Sequence, residues 1–212
     1  MSAVAALPVE AEIEAGGFVK GLAVAIVRQN KDDSGQVSVR VSFPWHSQPR
    51  DSYAARIAVP MAGKKMGMYF VPEVGDEVLV GFEKGSLEHP FVVGCLWNGA
   101  DPSPETNSDG NNDHRVIHTR KGHRLFFDDG SRGVVTLELN DGKKLTLDDD
   151  GIVLDDGNGN KLSIQSSQGS MSLEASRSLS IKAPQVKIEA SGTLDLKGSA
   201  TTNLQGGIVN IN

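Results

Sequence analysis

The chain has 212 residues, a formal net charge of -6 and a single cysteine. Its Lys and Arg residues are scattered among Asp and Glu, so no clustered basic face is expected and the composition predicts no nucleic-acid partner. Cys95 can form no disulfide within the chain, and its place in an apolar run predicts a buried thiol.

Residues 1–17 are an N-terminal extension without a basic leader or a long apolar run, so we expect neither a signal peptide nor a membrane span there. Residues 18–98 carry most of the aromatic side chains and are broken by Gly, Pro and charged pairs. The segments typical of short strands are 18–29, 37–43, 53–60, 67–71, 77–82 and 91–96. Short strands without a convincing amphipathic helix favour a small barrel such as an OB-fold, which would form a collar.

Residues 99–113 are rich in Pro, Ser, Asn, Asp and Gly, a composition that predicts a linker. Residues 114–133 then lead into a repeat as a junction. Pairs of apolar residues two positions apart recur along the chain, and Gly, Asp, Asn and Ser lie between the pairs. Each pair predicts a very short strand with one apolar face, and the residues after it predict a turn. Earlier pairs are Leu125 with Phe127 and Leu137 with Leu139. The later pairs, which we expect to form a trimer core, are Leu145, Leu147, Ile152, Leu154, Leu162, Ile164, Met171, Leu173, Leu179, Ile181, Val186, Ile188, Leu194, Leu196, Val209 and Ile211.

These apolar faces need a partner, because a ribbon of such short strands is marginal in water. Three chains around one axis would supply it, with an interchain hydrogen-bond ladder and a narrow core that explains why no aromatic residue follows Phe127. The sequence therefore predicts an all-β homotrimer, in which an N-terminal OB-fold barrel is followed by an intertwined triple-stranded β-helix. Residues 134–212 would form this needle.

Two polar clusters could be read as metal sites. His114, His118 and His123 lie near Asp128 and Asp129, but their spacing matches no known site. The Asp-rich runs 148–151 and 155–160 fit turn chemistry better than a calcium loop. We therefore predict no metal and no cofactor.

Catalytic groups are not suggested either. Ser residues are plentiful, but none lies in a Gly-x-Ser-x-Gly elbow, and all five histidines precede the Ser-rich repeats. A narrow three-chain prism offers no pocket for paired carboxylates. The sequence predicts that the chain is not an enzyme.

Three segments resemble motifs of a known protein family, and they follow one another along this chain in the same order as in that family. They are Pro-Glu-Val-Gly-Asp-Glu-Val-Leu-Val-Gly-Phe at 72–82, His-Pro-Phe-Val-Val-Gly-Cys-Leu-Trp-Asn at 89–98 and Thr-Arg-Lys-Gly-His-Arg-Leu-Phe-Phe-Asp-Asp at 119–129. With the repeats that follow, the chain resembles the central spike proteins of contractile injection systems: phage baseplate assembly protein V and the C-terminal half of VgrG from type VI secretion.

The resemblance implies a membrane-piercing spike at the end of the inner tube of a contractile phage tail or a phage-like injection system. Such a spike would be assembled in the bacterial cytoplasm and would act outside, at the envelope of the target cell. It would meet a baseplate hub protein at its N-terminal collar. VgrG proteins carry the hub domain in the same chain, whereas only residues 1–17 precede the collar here, so the resemblance implies a separate hub polypeptide.

The other end of the chain differs from short phage spikes that carry a histidine iron site at the apex. No histidine follows His123, and the last residues would instead form a platform for a PAAR-like tip protein. The residues of this platform are Ile208, Val209, Asn210, Ile211 and Asn212. An alternative stays open from the residues alone, a trimeric fibre-like binding module that recognises a cell-surface glycan or receptor.

Overall fold

The computed structural model describes residues 13–14, 18–32, 35–45 and 54–211. The chain divides into two compact units, Met1–Asn112 and Asp113–Asn212. Most of the N-terminal extension, Tyr53 in a predicted strand and Asn212 in the predicted platform lie outside the described residues. Within the described ranges, no helix has the length and apolar character needed to cross a membrane.

The first unit contains a closed five-stranded barrel. Its barrel strands are antiparallel neighbours except for one parallel pair, between the third and fifth strands in chain order. The strands of this unit are β1 (Ile13–Glu14), β2 (Phe18–Val19), β3 (Ala23–Gln29), β4 (Ser38–Ser42), β5 (Ala54–Ile57), β6 (Ala62–Gly63), β7 (Met66–Gly67), β8 (Glu77–Phe82) and β9 (Pro90–Leu96). The barrel closes in the order β3-β4-β5-β9-β8. Along the chain, the small hairpin β6–β7 connects β5 to β8. The predicted OB-like barrel is confirmed.

Valines fill the barrel. Val27, Val41, Val78 and Val80 are fully buried, and β4 alternates buried valines with polar residues that face outward. This period of two is the pattern of a strand with one face in a core, and each buried valine contributes about 1.5–3 kcal/mol. The barrel core is therefore built mainly from valines, with the small Ala25 and Ala55 among them and Phe43 and Phe82 packed against it.

Two predictions for the collar are wrong. Residues 67–71 form no strand beyond β7, because Gly67, the last residue of the β6–β7 hairpin, adopts a φ of +147° that departs from strand geometry. Cys95 is exposed, although the pairing register places it opposite the buried Val78, after a register shift between Val92 and Gly94.

The second unit begins with a seven-stranded antiparallel sheet in which each strand pairs with the next one in the chain. The strands are β10 (His114–His118), β11 (Arg124–Asp128), β12 (Val134–Glu138), β13 (Lys144–Asp148), β14 (Gly151–Asp155), β15 (Lys161–Gln165) and β16 (Ser170–Glu174). Residues 175–211, all of them described, contain no strand. The backbone ladder of residues 114–174 is therefore formed within one chain, whereas the repeat alone led us to expect a ladder between chains.

Three of the tight loops between these strands are alike. Residues 119–123, 139–143 and 156–160 each begin with an N–H that donates to the carbonyl of the fifth residue, at 2.9, 2.9 and 3.1 Å. The fourth residue is glycine in every case, Gly122, Gly142 and Gly159, with φ of 88°, 90° and 90°. Glycine adopts this left-handed conformation without steric cost, so the repeated loop folds the chain back on itself at a fixed register.

Candidate functional site

One face of the seven-stranded sheet is apolar along its whole width. The pairing register aligns two rows of side chains on this face, which we call the apolar face. The first row is Ile117, Leu125, Leu137, Leu145, Leu154, Leu162 and Leu173; the second is Arg115, Phe127, Val135, Leu147, Ile152, Ile164 and Met171. Only Arg115, in the first strand, is polar, and it forms an ion pair with Asp129 at 3.2 Å.

Among the described residues of the second unit, no second layer covers the apolar face. Leu154 is 52% exposed, Leu173 55% and Met171 71%, whereas Thr136 and Ser163 on the opposite face are 6% and 8% exposed. A sheet with one apolar face must bury it against another layer to be stable in water. The single chain therefore presents a surface that requires further copies or another partner.

The predicted trimer-core residues fall into two groups. The first eight, from Leu145 to Leu173, are brought together on the apolar face, and their role as a trimer core stays a prediction. The earlier pairing of Leu137 with Leu139 is wrong, because Leu139 lies in the loop after β12 and Val135 occupies the second row instead.

The second group lies in residues 175–211. Its apolar pairs are exposed, with Leu179 at 57%, Ile181 at 67% and Leu196 at 67%. In the described part of the chain no strand pairs with this stretch, so its backbone N–H and C=O groups are free to pair with other chains. Apolar pairs that keep the spacing of a strand, without a strand partner, indicate partners in other chains.

The opposite face carries a row of alternating charges that the sequence analysis missed. The register places Arg124 opposite Glu138, then Lys144, Asp155, Lys161 and Glu174 in order. Directly opposite charges stabilise an antiparallel pair by about 0.2–1 kcal/mol, and like charges destabilise it by a similar amount. This charge row favours one register, which is also the register that aligns the two apolar rows on the other face.

We expect Lys144→Glu to destabilise the sheet, because it places like charges beside both Glu138 and Asp155. The loss is about 1 kcal/mol or more per chain, seen as a thermal midpoint lowered by several degrees. Only inversion of the whole row restores alternation, so the variant with Arg124→Glu, Glu138→Lys, Lys144→Glu, Asp155→Lys, Lys161→Glu and Glu174→Lys should recover most of the midpoint. Lys121→Glu, the same charge change in a loop, is the control; an equal loss in this control would contradict a role for the charge row.

The predicted histidine cluster is spread along the first hairpin of the sheet. The His114 ring lies 5.0 Å from the Phe126 ring, with its Nε2 3.9 Å from Asp128 Oδ1, and His123 Nδ1 accepts the backbone N–H of Asn140 at 3.3 Å. Among the residues that the structure describes, no three His, Cys, Asp or Glu side chains converge as metal ligands. These groups organise the start of the sheet instead.

The Asp-rich loops use their carboxylates to hold backbone N–H groups. Asp148 Oδ1 accepts the N–H groups of Asp150 and Gly151 at 2.9 and 3.0 Å. Hydrogen bonds from Asn160, first from its side chain and then from its backbone, lower the pKa of Asp156, and the N–H of Asn158 adds to this. These contacts are those of turn-stabilising Asx residues.

Two family models match the chain, one in each unit. Residues 23–97 match the type VI secretion system/phage-baseplate injector OB domain, and residues 114–171 match the phage baseplate V C-terminal trimerisation domain. The chain belongs to the baseplate V/VgrG-like family of spike proteins. The second match covers the sheet from β10 into β16, so the apolar face of this spike protein lies in the domain that the family uses for trimerisation.

Curated relatives support the same family. The spike protein is 35% identical over 109 residues to the type VI secretion system spike protein VgrG4b of Pseudomonas aeruginosa, a match to 42% of this chain and 13% of the relative. It is 36% identical over 75 residues to VgrG5 of the same organism and 33% identical over 70 residues to VgrG3 of Vibrio cholerae. These matches cover 34% and 31% of this chain, and 10% and 7% of the relatives. The matched part is thus a small fraction of each relative's length.

Proposed function

We propose that three copies of this chain form the membrane-piercing spike at the tip of the inner tube of a contractile phage tail or phage-like injection system. The observation that carries the proposal is the apolar face, continuous over seven strands and located within the matched trimerisation domain. Three such sheets, each turning its apolar face to a common axis, bury the surface that one chain exposes. The outer surface of the resulting prism then carries hydroxyl side chains and the charge row, together with Val116, Phe126 and Val153.

Stiffness is the mechanical requirement of a piercing spike. Each sheet has a hydrogen-bond ladder of its own, and burial of the three apolar faces at the shared axis stabilises and joins the three walls. Residues 175–211 extend the spike by a different route. There, each strand finds its hydrogen-bond partners in the neighbouring chains, and Leu179, Ile181 and the later apolar pairs form the core of an intertwined needle.

The spike has two ends with different partners in this proposal. The OB collar contacts the baseplate hub, a role consistent with its match to an injector OB domain. Residues 208–212 carry the PAAR-like tip protein, and exposed Ile208 and Ile211, each 84% exposed, supply apolar contact surface there. One matched family model is named as an injector domain and the other as a trimerisation domain. We therefore propose that the spike acts mechanically and not as an enzyme.

The test uses particles from cells that express the spike with a small epitope replacing part of the loop at 139–143. Immunogold electron microscopy should place the label at the tip of the tube, and contraction of the sheath should release dye from vesicles of target outer membrane. Particles carrying Leu173→Asp, which disrupts the apolar face, should lack the spike and release no dye. Particles carrying Ser172→Asp are the matched control.

Label on lateral fibres, with dye release unaffected by Leu173→Asp, would overturn the proposal. That result would favour the trimeric binding module, although the described shaft after Phe127 contains no aromatic residue of the kind that glycan-binding surfaces expose.

A further inference from the structure

Three loops of the second unit lie side by side on one edge of the seven-stranded sheet. They are the loops at 119–123, 139–143 and 156–160. The first contacts the second, since the backbone N–H of Asn140 donates to His123 Nδ1 at 3.3 Å. The second contacts the third, since a Cβ on Gly157 would be 3.5 Å from the carbonyl oxygen of Gly142. Each loop is therefore packed against its neighbour along this edge.

Ser176, two residues after the end of β16, takes the next position along the same edge. Asn160 Oδ1 accepts the backbone N–H of Ser176 at 2.9 Å and its hydroxyl group at 3.3 Å. A Cβ on Gly159 would be 3.3 Å from Ser176 Cβ, so the loop and the departing chain are in close contact. A fourth loop at this position would turn the chain back into the sheet. The chain instead continues through residue 211 without a strand.

Asp156 fixes the orientation of the Asn160 side-chain amide. Its carboxylate accepts a hydrogen bond from Asn160 Nδ2 and another from the backbone N–H of Asn160 at 3.0 Å. These two bonds, the side-chain bond first, lower the pKa of Asp156, so the carboxylate is ionised and can only accept. The backbone N–H of Ser176 can only donate. An amide with its nitrogen toward Asp156 and its oxygen toward Ser176 satisfies both neighbours.

We propose that Asp156 and Asn160 form a clamp that positions Ser176 and so fixes the residue at which each chain leaves its sheet and enters the needle. Among the described residues, Ser176 is the last one that hydrogen-bonds to the sheet or its loops. Side chains alternate along a strand, so a shift of one residue at this exit would turn Leu179 and Ile181 from the needle core to its outer surface. The clamp rests on the proposed function, because the needle is part of that proposal.

Exchanging the two side chains tests the clamp in the full-length protein. Asn160→Asp places two carboxylates against each other, and Asp156→Asn places two amide nitrogens there, because the oxygen at 156 is held by backbone N–H groups of the loop. Each single variant should raise the rate of hydrogen exchange at the Ser176 amide about fivefold, because its acceptor is no longer held in place.

The double variant, Asp156→Asn with Asn160→Asp, should return this rate close to that of the unsubstituted protein. In it, the new amide donates to the new carboxylate, which still accepts the N–H of Ser176. Asn158→Asp is the matched control. It makes the same change in the same loop, but the Asn158 side chain donates to the carbonyl of Asp156 and does not bridge to Ser176.

Mass spectrometry with peptides that end on either side of Ser176 gives the exchange rate at its amide, and peptides from β11 and β12 show that the sheet is intact in every variant. An unchanged rate in both single variants would overturn the clamp. A double variant that exchanges as fast as the single variants would also overturn it, as would an equal increase in Asn158→Asp.

Light scattering on the same samples separates this inference from the proposed function. If the unsubstituted protein is a trimer and the exchange pattern fails, the clamp is wrong and the needle stands. If the unsubstituted protein is a monomer, the needle is wrong, and the role of the clamp at its entrance is wrong with it.

Discussion

Leu173→Asp is expected to leave the spike protein monomeric, whereas Ser172→Asp should leave the trimer intact. The two residues are neighbours in β16 and both are exposed in the single chain, but they lie on opposite faces of the sheet. In the proposed trimer, the leucine alone turns to the common axis. A monomeric chain would tolerate both substitutions equally, so the difference between the two variants reports directly on burial by other copies.

The expected destabilisation of the trimer by Leu173→Asp is large, because three carboxylates would replace three leucine side chains at the common axis. Removing a buried leucine side chain costs about 2–5 kcal/mol, and three copies are changed at one level of the trimer. The new carboxylates would meet one another in an apolar environment, which adds a desolvation cost of several kcal/mol, about 2–7 kcal/mol for a polar group without a partner. Light scattering gives the mass of each variant. Equal masses for Leu173→Asp and Ser172→Asp would contradict burial of the apolar face.

Among glycine-to-alanine substitutions in the seven-stranded sheet, Gly151→Ala is expected to lower the stability of the sheet most. Gly151 opens β14 with a φ of +151°, and a Cβ there would lie 1.8 Å from the carbonyl oxygen of Ile164. That oxygen belongs to the backbone of the paired strand β15. The clash can be relieved only by separating the two strands, because no flexible side chain is available to move.

Gly142→Ala is the matched control. Its φ of +90° is also left-handed, but no atom lies within 4 Å of the added Cβ. We expect a loss of about 1 kcal/mol for the backbone strain alone in this control, and about 3 kcal/mol or more per chain for Gly151→Ala. Thermal unfolding of the two variants measures the difference. Equal midpoints would show that the pairing of β14 with β15 differs from the one described.

The apolar face could be predicted from the sequence because its signal is local. A pair of residues such as Leu145 and Leu147, two positions apart, defines one face of a strand, and the Asp and Gly residues between pairs indicate tight turns. Whether those strands pair within a chain or between chains is not a local property. Each unit has the same composition in both arrangements, so the repeat alone did not distinguish the sheet of residues 114–174 from the unpaired stretch that follows.

The charge row was beyond sequence reasoning for a related reason. Arg124 and Glu138 are directly opposite in the sheet but far apart in the chain, so their alternation appears only once the register is known. The exposed Cys95 was a different kind of error. Its apolar neighbours suggested burial, and counting alternate positions would not have corrected this, because the register of β9 shifts between Val92 and Gly94.

The solution mass of the intact protein, measured by light scattering, tests the central claim most directly. Burial of the apolar face and interchain pairing of residues 175–211 both require three chains, so the account predicts a mass of three times the chain mass. We expect this trimer to persist in unheated detergent, because dissociation would expose the apolar face of every chain. A folded monomer would contradict the account and would require another layer to cover the apolar face.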